Sequence, residues 1–337
     1  MSKKKAVIVG ASGYTGCELI KLLNKNSHVD IKYLFVSEQS QYDGMMACHL
    51  YPELKHLTEL SYIAVSDQKL HDYITSQQID LVFLATPHQV SHQLVDNLSS
   101  TSATILDLSG AYRLADLTAY PTWYQFTHQR PDLIASAAYG LAEWYPESIC
   151  NASVIAVPGC YPTAALSSLK PLTQNNLITG TPVINATSGV SGAGKKPSDK
   201  THFCEVSLQP YGIFNHRHQP EIEQYAETPV IFTPHLGNFK RGILMTTTAQ
   251  LAPGVTNADI DDAFQTAYQH QPLIRLCDKP PAVDHIAHTP FCDLFWQING
   301  NHIIVIAAID NLIKGAAGQA VQCANILGGV SMEEGLL

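Results

Sequence analysis

A buried strand, a glycine-rich turn and a helix follow one another at the start of the chain. Residues 6–9 are apolar and β-branched, Gly10, Gly13 and Gly16 are spaced G-x-x-G-x-x-G, and residues 17–23 repeat apolar side chains at helical spacing. Glycines permit a tight turn and the close approach of a pyrophosphate to a helix N-terminus. The alternative is a simple tight turn, but the strand that follows the helix favours nucleotide binding. We therefore predict a Rossmann-type parallel sheet.

The second strand, residues 31–36, ends in Ser37. NAD-specific enzymes place an acidic residue at this point, where it binds the ribose 2′-hydroxyl. A serine hydroxyl can donate to a 2′-phosphate, so Ser37 favours NADP(H), although Glu38 follows and no arginine is adjacent. The pyrophosphate contacts are predicted within the turn itself, at Gly10, Ser12, Gly13, Thr15 and Gly16, and Tyr14 is a further predicted cofactor contact.

Two further apolar runs predict parallel strands at residues 80–85 and 104–108. Ligands of open α/β sheets bind beyond the carboxyl ends of the strands, and His88, Ser109, Gly110 and Arg113 lie there. Arg113 could bind a carboxylate or a phosphate, and the alternative is a surface ion pair with Asp116. Residues 120–144 lack periodicity and predict a long packed connection.

Cys160 follows a short apolar run, residues 154–157, and the break at Pro158-Gly159. The residues after it predict a helix with Pro162 in the first turn, where proline is tolerated. The thiol is therefore predicted at a helix N-terminus, which favours a thiolate and can hold an oxyanion. The alternative is a small buried apolar residue, and only the rest of the chain favours the nucleophile.

The second half of the chain has a different pattern. Strands are predicted at residues 182–186, 203–208, 229–234, 242–250 and 303–309, helices at 259–269 and 314–327, and a glycine-rich loop at 187–196. Such a series predicts an α+β domain with a mostly antiparallel sheet. The small residues of the last helix suggest close packing against the first domain. We predict an NADP-binding domain of residues 1–157 plus 314–337, and a catalytic, substrate and dimerisation domain of residues 158–313.

Two histidines flank an arginine at His216, Arg217 and His218, just before Pro220 opens a helix. A histidine is the natural base for a thiol at neutral pH, although a lone histidine is more often structural. We favour His218 as the base. His216 is the fallback, or binds phosphate together with Arg217.

Length and charge exclude several classes of protein. A chain of 337 residues predicts about two domains, and a formal net charge of −9 argues against nucleic-acid binding. The first apolar run is too short for a signal peptide or a membrane span, so we expect a cytoplasmic protein without a membrane partner. The eight cysteines form no C-x-x-C pair, and His88 with His92 lacks an evident third ligand, so we expect no metal.

Six stretches together resemble the N-acetyl-γ-glutamyl-phosphate reductase family, which shares its architecture with aspartate-semialdehyde dehydrogenases. They are residues 10–16, 158–163, 188–194, 216–222, 233–238 with 241–242, and 310–315. The resemblance implies NADPH-dependent reduction of N-acetylglutamyl 5-phosphate to the semialdehyde, with release of phosphate, in arginine biosynthesis. It further implies a thioester on Cys160, cofactor contacts from Ser188, Gly189, Gly192 and Asn311, substrate contacts from Ser109, Gly110, Arg113 and Arg217, and a homo-oligomer, dimer or tetramer.

Two alternatives stay open at this point. The chain could reduce a related acyl phosphate of the aspartyl or aminoadipyl type, because one sequence does not decide what the substrate-binding residues select. It could also be a catalytically inactive NADP-binding sensor. The presence of Cys160 with His216 and His218 argues against a sensor, which has no need of a nucleophile and a base.

Overall fold

The computed structural model describes residues 3–337 and divides into two compact units. The first unit comprises Met1–Pro158 and Ala316–Leu337, and the second comprises Gly159–Gly315. The boundaries predicted from the sequence are 157/158 and 313/314, and residues 1 and 2 of the predicted first domain lie outside the described residues. Within residues 3–337, no helix is long and apolar enough to cross a membrane.

The first unit is built on a seven-stranded, fully parallel sheet in the order β3-β2-β1-β4-β5-β7-β6. The strands are β1 (Lys4–Val9), β2 (Val29–Ser37), β3 (Tyr62–Val65), β4 (Leu81–Leu84), β5 (Thr104–Asp107), β6 (Ala138–Tyr139) and β7 (Val154–Ala156). Its helices are α1 (Tyr14–Lys25), α2 (Ala47–Leu50), α3 (Asp67–Ser76), α4 (His88–Leu98), α5 (Tyr120–Tyr124), α6 (Pro131–Ser136) and α7 (Pro146–Asn151). The parallel sheet predicted from the apolar runs is confirmed.

Two details of the first unit differ from the sequence prediction. Strand β3 was not predicted, because pairing with β2 rather than a local sequence pattern defines it. The segment 120–144, predicted as a connection, contains α5, α6 and β6. These helices are short and each begins with a proline in its first turn, so turn residues rather than an apolar repeat define them.

The second unit is built on a mixed seven-stranded sheet in the order β12-β13-β14-β11-β8-β10-β9. Its strands are β8 (Ile178–Gly189), β9 (Gln209–Pro210), β10 (Ile231–Gly237), β11 (Ile243–Leu251), β12 (Ile274–Leu276), β13 (Cys292–Asn299) and β14 (His302–Ile309), and its helices are α8 (Cys160–Gln174), α9 (Gln219–Ala226), α10 (Asn257–Tyr268) and α11 (Val283–Ile286). Only β12 with β13 and β8 with β10 pair in parallel. The expected mostly antiparallel sheet is confirmed.

Helix α8 packs against β8, β11, β13 and β14 of this sheet. One row across four strands joins Ile304 to Thr248, Thr248 to Val183 and Val183 to Ile231. Alternation along each strand places these side chains on one face. Two of them are exposed apolar residues, Ile304 at 43% and Ile231 at 39%, so this row of the sheet meets solvent.

The strand predicted at residues 203–208 is wrong. The segment forms turns, and Phe203 is 93% exposed. The alternation of apolar and polar residues in Phe203-Cys-Glu-Val-Ser-Leu208 imitates a strand, but no neighbouring strand pairs with it. Only β9, directly after it, joins the edge of the sheet.

The chain ends in helix α12 (Gly318–Gly328), which a π-helical turn at Ile313–Ala317 precedes. Helix α12 packs on α1 and α7 of the first unit. A buried hydrogen bond of 2.8 Å from Asn26 Nδ2 to Asn325 Oδ1 fixes this contact. The helix predicted at residues 314–327 is therefore present, with an altered first turn.

Candidate active site

The glycine turn of the first unit lies between β1 and α1. Gly10 has φ of +80°, and the N–H groups of Gly10 and Ala11 both donate to Phe35 O, at 2.9 and 3.1 Å. Gly13 caps α1, and a Cβ at Gly16 would lie 2.5 Å from Ala11 O. The turn can close this tightly only because Gly10 and Gly16 lack side chains.

This turn can hold the phosphates of a nicotinamide dinucleotide. Strand β1 lies between β2 and β4, so the chain leaves β1 in one direction along the sheet and later returns on its other side, which creates a crevice at its carboxyl end. The first turn of α1 carries no acidic residue, so nothing there opposes an anion at the positive end of the helix. Ser12, Tyr14 and Thr15 are partly exposed at the same place.

Ser37 is the last residue of β2, and its side chain is exposed at the same edge of the sheet. Its backbone carbonyl accepts a hydrogen bond from Ser40 N at 2.9 Å, which starts the turn after the strand. The hydroxyl is therefore in a suitable place to meet the ribose of a nucleotide held by the glycine turn.

The loop after β5 carries Ser109 and Gly110, and buried polar groups order it. The Asp107 carboxylate accepts from Ser109 N at 2.9 Å and from Ser109 Oγ at 2.8 Å, while burial raises the pKa of Asp107. Gly110 N donates to His88 Nδ1 at 2.7 Å. His88 thus supports this loop. Within residues 3–337, no group of three or more His, Cys, Asp or Glu side chains is placed to hold a metal ion. The sequence placed His88 at a strand end but did not show its partner.

Arg113 is buried, with 4% of its surface exposed. Its Nε donates to Val157 O and its Nη2 to Leu108 O, both at 2.8 Å. The alternative of a surface ion pair with Asp116 is wrong, because the Asp116 carboxylate instead caps a turn by accepting from Thr118 N at 2.8 Å. Arg113 therefore ties together two strand ends of the sheet.

Cys160 is the first residue of α8 and is half-buried. Gly159 caps the helix, and its carbonyl accepts from Thr163 N at 2.9 Å. The other side of the cysteine is closely packed, because a Cβ added at Gly315 would lie 2.8 Å from Cys160 Cβ. The predicted placement of the thiol at a helix N-terminus is thus what the structure shows.

Glu221, whose role the sequence did not indicate, supports this turn from α9. Its carboxylate is fully buried and Oε1 accepts from Gly159 N at 2.8 Å. The two residues are 62 positions apart in the chain, so local sequence carries no signal of the contact.

The loop of His216, Arg217 and His218, called the histidine loop below, packs on Tyr161, the residue after Cys160. The Tyr161 ring lies 5.6 Å from the His216 ring and 5.9 Å from the His218 ring, centroid to centroid. Burial raises the pKa of Tyr211 to about 12, so its phenol stays protonated and donates to Tyr161 Oη at 3.2 Å. Tyr161 in turn donates to His235 O at 3.1 Å. These aromatic groups bring the two histidines to the start of α8.

The two histidines differ in environment. His216 Nδ1 accepts from His218 N at 3.1 Å, which places the proton of a neutral imidazole on Nε2. Burial, with a smaller contribution from the positive charge of Arg217, lowers the pKa of His216 to about 4. His218 is buried and caps α9. Arg217, between them, is exposed.

The second glycine loop, residues 188–194, packs against Asn311. Asn311 Nδ2 donates to Ser191 Oγ at 2.9 Å, and Asn311 Oδ1 accepts from Gly242 N at 2.7 Å. A Cβ at Gly192 would lie 3.0 Å from Ser188 Oγ, and one at Gly189 would lie 2.6 Å from Arg241 N. The structure therefore brings Ser188, Gly189, Gly192 and Asn311 together, with the Asn311 amide engaged inside this unit.

Asp310 anchors the turn that carries Asn311. Its carboxylate is fully buried and accepts from Arg241 Nε at 2.5 Å and His288 N at 2.7 Å. It also accepts from Leu312 N and Ile313 N at 2.9 and 2.8 Å. Arg241 and Asp310 both lie in stretches that carry the family resemblance, but the sequence does not indicate that they pair with each other.

Comparison with known proteins agrees with this arrangement. Residues 5–152 match the family model described as "Semialdehyde dehydrogenase, NAD binding domain", and residues 160–311 match "Semialdehyde dehydrogenase, dimerisation domain". The chain is 51% identical to the N-acetyl-gamma-glutamyl-phosphate reductase of Escherichia coli O157:H7, over 98% of this chain and 99% of the relative. It is 50% identical to that of Pasteurella multocida, over 99% and 100%.

The chain belongs to the N-acetyl-gamma-glutamyl-phosphate reductase family.

Solved structures outside this family share its fold. An aspartate semialdehyde dehydrogenase II from Vibrio cholerae superposes with a TM-score of 0.72 at 16% identity, over 98% of this chain and 99% of that one. A Candida albicans aspartate semialdehyde dehydrogenase with NADP gives 0.70 at 15%, over 97% and 99%. These structures show the fold alone. The reductase relatives and the matched NAD binding domain identify the protein as an oxidoreductase with a nicotinamide-binding Rossmann-type domain.

Proposed function

We propose that the chain reduces N-acetyl-L-glutamyl 5-phosphate to N-acetyl-L-glutamate 5-semialdehyde with NADPH and releases phosphate, as a step of arginine biosynthesis. The observation that carries the proposal is the identity of about half the residues with reductases of that name over nearly the whole chain. The placement of Cys160 at the start of α8, with two histidines packed on the next residue, supports it.

Cys160 is the proposed nucleophile. Its thiolate attacks the acyl carbon, the bond to phosphate breaks, and a thioester remains on the sulfur. The first turn of α8 holds the oxyanion that forms during attack, because a helix start presents unsatisfied N–H groups and a positive potential. That first turn carries no acidic residue that would compete for those N–H groups from within the helix.

His218 is the proposed base that takes the thiol proton. It returns this proton to the Cys160 sulfur when the carbon–sulfur bond breaks and the aldehyde leaves. His216 is less suited to this task, since a pKa of about 4 makes it a weak proton acceptor and its Nδ1 already accepts from His218 N. We propose instead that His216 and the exposed Arg217 contact the departing phosphate.

The cofactor is proposed to be NADP(H), bound by the first unit. When bound, it supplies the hydride that reduces the thioester to the aldehyde level. The glycine turn with Ser12, Tyr14 and Thr15 would hold the pyrophosphate, and Ser37 the 2′-phosphate. Ser37→Asp should lower the NADPH-to-NADH ratio of kcat/KM, and Ser37→Ala should lower it less, because only aspartate repels the phosphate. An unchanged ratio would place the 2′-phosphate contact elsewhere.

Further contacts are proposed for the substrate and for the nicotinamide. Ser109, Gly110 and Arg113 are assigned to the substrate, with Arg113 on its carboxylate and its guanidinium plane fixed by two carbonyl bonds. Ser188, Gly189, Gly192 and Asn311 are assigned to the nicotinamide end of the cofactor. The mutual packing of these four residues in the second unit supports the assignment.

The proposal is tested by assaying the reaction in the reverse direction, as oxidation of the semialdehyde, in wild-type protein and in defined variants. Wild-type protein should reduce NADP in a phosphate-dependent manner with N-acetylglutamate semialdehyde, and much more weakly with aspartate or aminoadipate semialdehyde. Cys160→Ser should abolish turnover while leaving NADPH affinity nearly unchanged, whereas the exposed Cys150→Ser should leave turnover unchanged. A preference for another semialdehyde would overturn the substrate assignment.

The two histidines are separated by steady-state kinetics. His218→Asn should lower kcat about 100- to 10,000-fold, as expected for a general base. His216→Asn should chiefly raise KM for the acyl phosphate. If His216→Asn loses kcat and His218→Asn does not, the roles are reversed.

We further propose that a second copy of the chain covers the exposed row of the second sheet. The match of this unit to a dimerisation domain and the exposed Ile231 and Ile304 support this. Ile304→Lys should reduce the mass measured by sedimentation, and the matched surface change Leu57→Lys in the first unit should not. The wild-type mass distinguishes a dimer from a tetramer.

A further inference from the structure

The carboxylate of Glu221 lies where two helices of the second unit begin. Its surface is fully buried, and Oε1 accepts a buried hydrogen bond of 2.8 Å from Gly159 N, the residue that caps α8. Glu221 itself stands in the first turn of α9. A carboxylate is favoured at both positions, because the start of a helix carries a partial positive charge.

These two helices carry the two groups of the proposed chemistry. Cys160 follows Gly159 directly, and His218 caps α9 with its carbonyl accepting from Ile222 N at 3.0 Å. One hydrogen bond of Glu221 therefore joins Gly159, the residue before Cys160, to the first turn of α9, which directly follows the histidine loop.

A second buried charge ties α9 to α8 farther along. Lys170 of α8 is 2% exposed, and its Nζ donates to Tyr225 O at 3.2 Å, near the end of α9. A cation is favoured at that end for the same electrostatic reason. With this second contact in place, loss of the Glu221 bond should release the start of α9 rather than the whole helix.

We propose that Glu221 is a positioning residue. Through its hydrogen bond to Gly159, it fixes the position of the histidine loop relative to Cys160, and it does not touch the substrate. The proposal rests on the function proposed above. What this role requires is an oxygen acceptor at the distance of the Glu221 carboxylate, and the charge itself is dispensable. Glutamine keeps that acceptor at the same reach, whereas aspartate keeps the charge but is one methylene shorter.

Two substitutions therefore separate position from charge. Glu221→Gln should retain kcat within a few-fold of wild type, and Glu221→Asp should lower kcat roughly 10- to 100-fold, with a smaller change in KM, because misplacement near 1 Å carries a penalty of that size. The Gln and Asp changes at Glu223 are matched controls. Glu223 lies on the same helix, but its Oε1 accepts from Gln219 Nε2 and Val230 N, and both changes should leave kcat near wild type.

A second measurement needs no substrate. The rate of alkylation of Cys160 by iodoacetamide, followed against pH in protein with the other reactive cysteines replaced by serine, reports the thiolate. Removing the negative charge in Glu221→Gln should move its midpoint to lower pH, because a nearby carboxylate disfavours a thiolate. The Glu223→Gln midpoint should stay at the wild-type value.

The outcomes are distinct. If Glu221→Gln loses kcat as severely as Glu221→Asp or more so, Glu221 transfers a proton or supplies charge, and the positioning role is wrong. If Glu221→Asp keeps both kcat and the wild-type alkylation profile, the position of the histidine loop relative to Cys160 does not depend on this contact and the proposal is again wrong. Wild-type protein that is inactive on N-acetylglutamyl phosphate, with the alkylation midpoint still shifted in Glu221→Gln, would overturn the proposed substrate while supporting the placement of Glu221 beside the thiol.

Discussion

A single methyl group at Gly315 should displace the nucleophile. In Gly315→Ala the new Cβ would lie 2.8 Å from Cys160 Cβ and 3.2 Å from Cys160 Cα. Carbon atoms in contact are separated by about 3.5–4.0 Å, so the two segments must move apart by roughly 0.7–1.2 Å. Neither segment moves easily, because each is held by a hydrogen bond. Gly315 N donates to Asp310 O at 2.9 Å, and Gly159 N donates to Glu221 Oε1 at 2.8 Å.

Overpacking of this kind costs about 1–3 kcal/mol of unfolding free energy, and misplacement near 1 Å lowers turnover by about 100-fold. We expect Gly315→Ala to lose roughly 10- to 100-fold in kcat and a few degrees in Tm, measured by NADPH consumption and by calorimetry. Alkylation of Cys160 should change in rate in parallel. Gly328→Ala is the control, because its Cβ would lie at an ordinary 3.8 Å from Val330 Cγ2. Equal kcat and equal alkylation rates in the two variants would refute the reasoning.

Three further perturbations have defined results. Gly16→Ala brings a Cβ within 2.5 Å of Ala11 O and should weaken cofactor binding in a fluorescence titration far more than Gly328→Ala does. Deletion of residues 316–337 removes α12 and the bond from Asn325 to Asn26, so NADPH affinity and the Tm of the first unit should both fall; a folded, binding-competent truncation would contradict the packing described. Burial lowers the pKa of His128 to about 4 from 6.5. The folded state therefore favours the neutral imidazole, and this contribution to the free energy of unfolding is complete above pH 6.5. Up to about 3 kcal/mol of it is lost as the pH falls toward 4. His128→Phe should therefore show a smaller drop in Tm between pH 7 and 4.5 than wild type does.

Elements with a strong local signal were predictable from sequence. The buried run before Gly10 and the break at Pro158-Gly159 each lie where an apolar pattern meets a residue of special backbone geometry, and the structure begins α1 and α8 there. The pattern at residues 203–208 failed because alternation shows a strand only where another strand pairs with it. Strand β3 failed for the opposite reason, since pairing with β2 creates it and its four residues show little on their own.

The candidate site shows the same difference between residues with a local sequence signal and residues whose roles depend on long-range contacts. A cysteine after a proline-glycine break and two histidines before a proline-led helix are visible in the chain, because residue type and spacing carry the information. Glu221 and Asp310 are not visible, because their roles depend on contacts with backbone N–H groups that folding brings near them. Arg113 illustrates the limit most clearly: the sequence suggested a surface pair or a ligand clamp, and the structure shows a buried guanidinium bound to carbonyls.

The division of the first unit into two chain segments has a consequence for how the protein is made. The second unit is one uninterrupted segment, Gly159–Gly315, so all of its strands leave the ribosome before the first unit is complete. The first unit emerges earlier but lacks α12, which follows the whole second unit in the chain, and α1 packs against that helix. Until α12 follows, the surface of α1 that packs on it stays uncovered on a nascent chain, a condition that favours aggregation and chaperone binding. Synthesis of this enzyme should therefore be most vulnerable after the second unit has emerged and before α12 follows, although folding in vivo otherwise proceeds from the N-terminus.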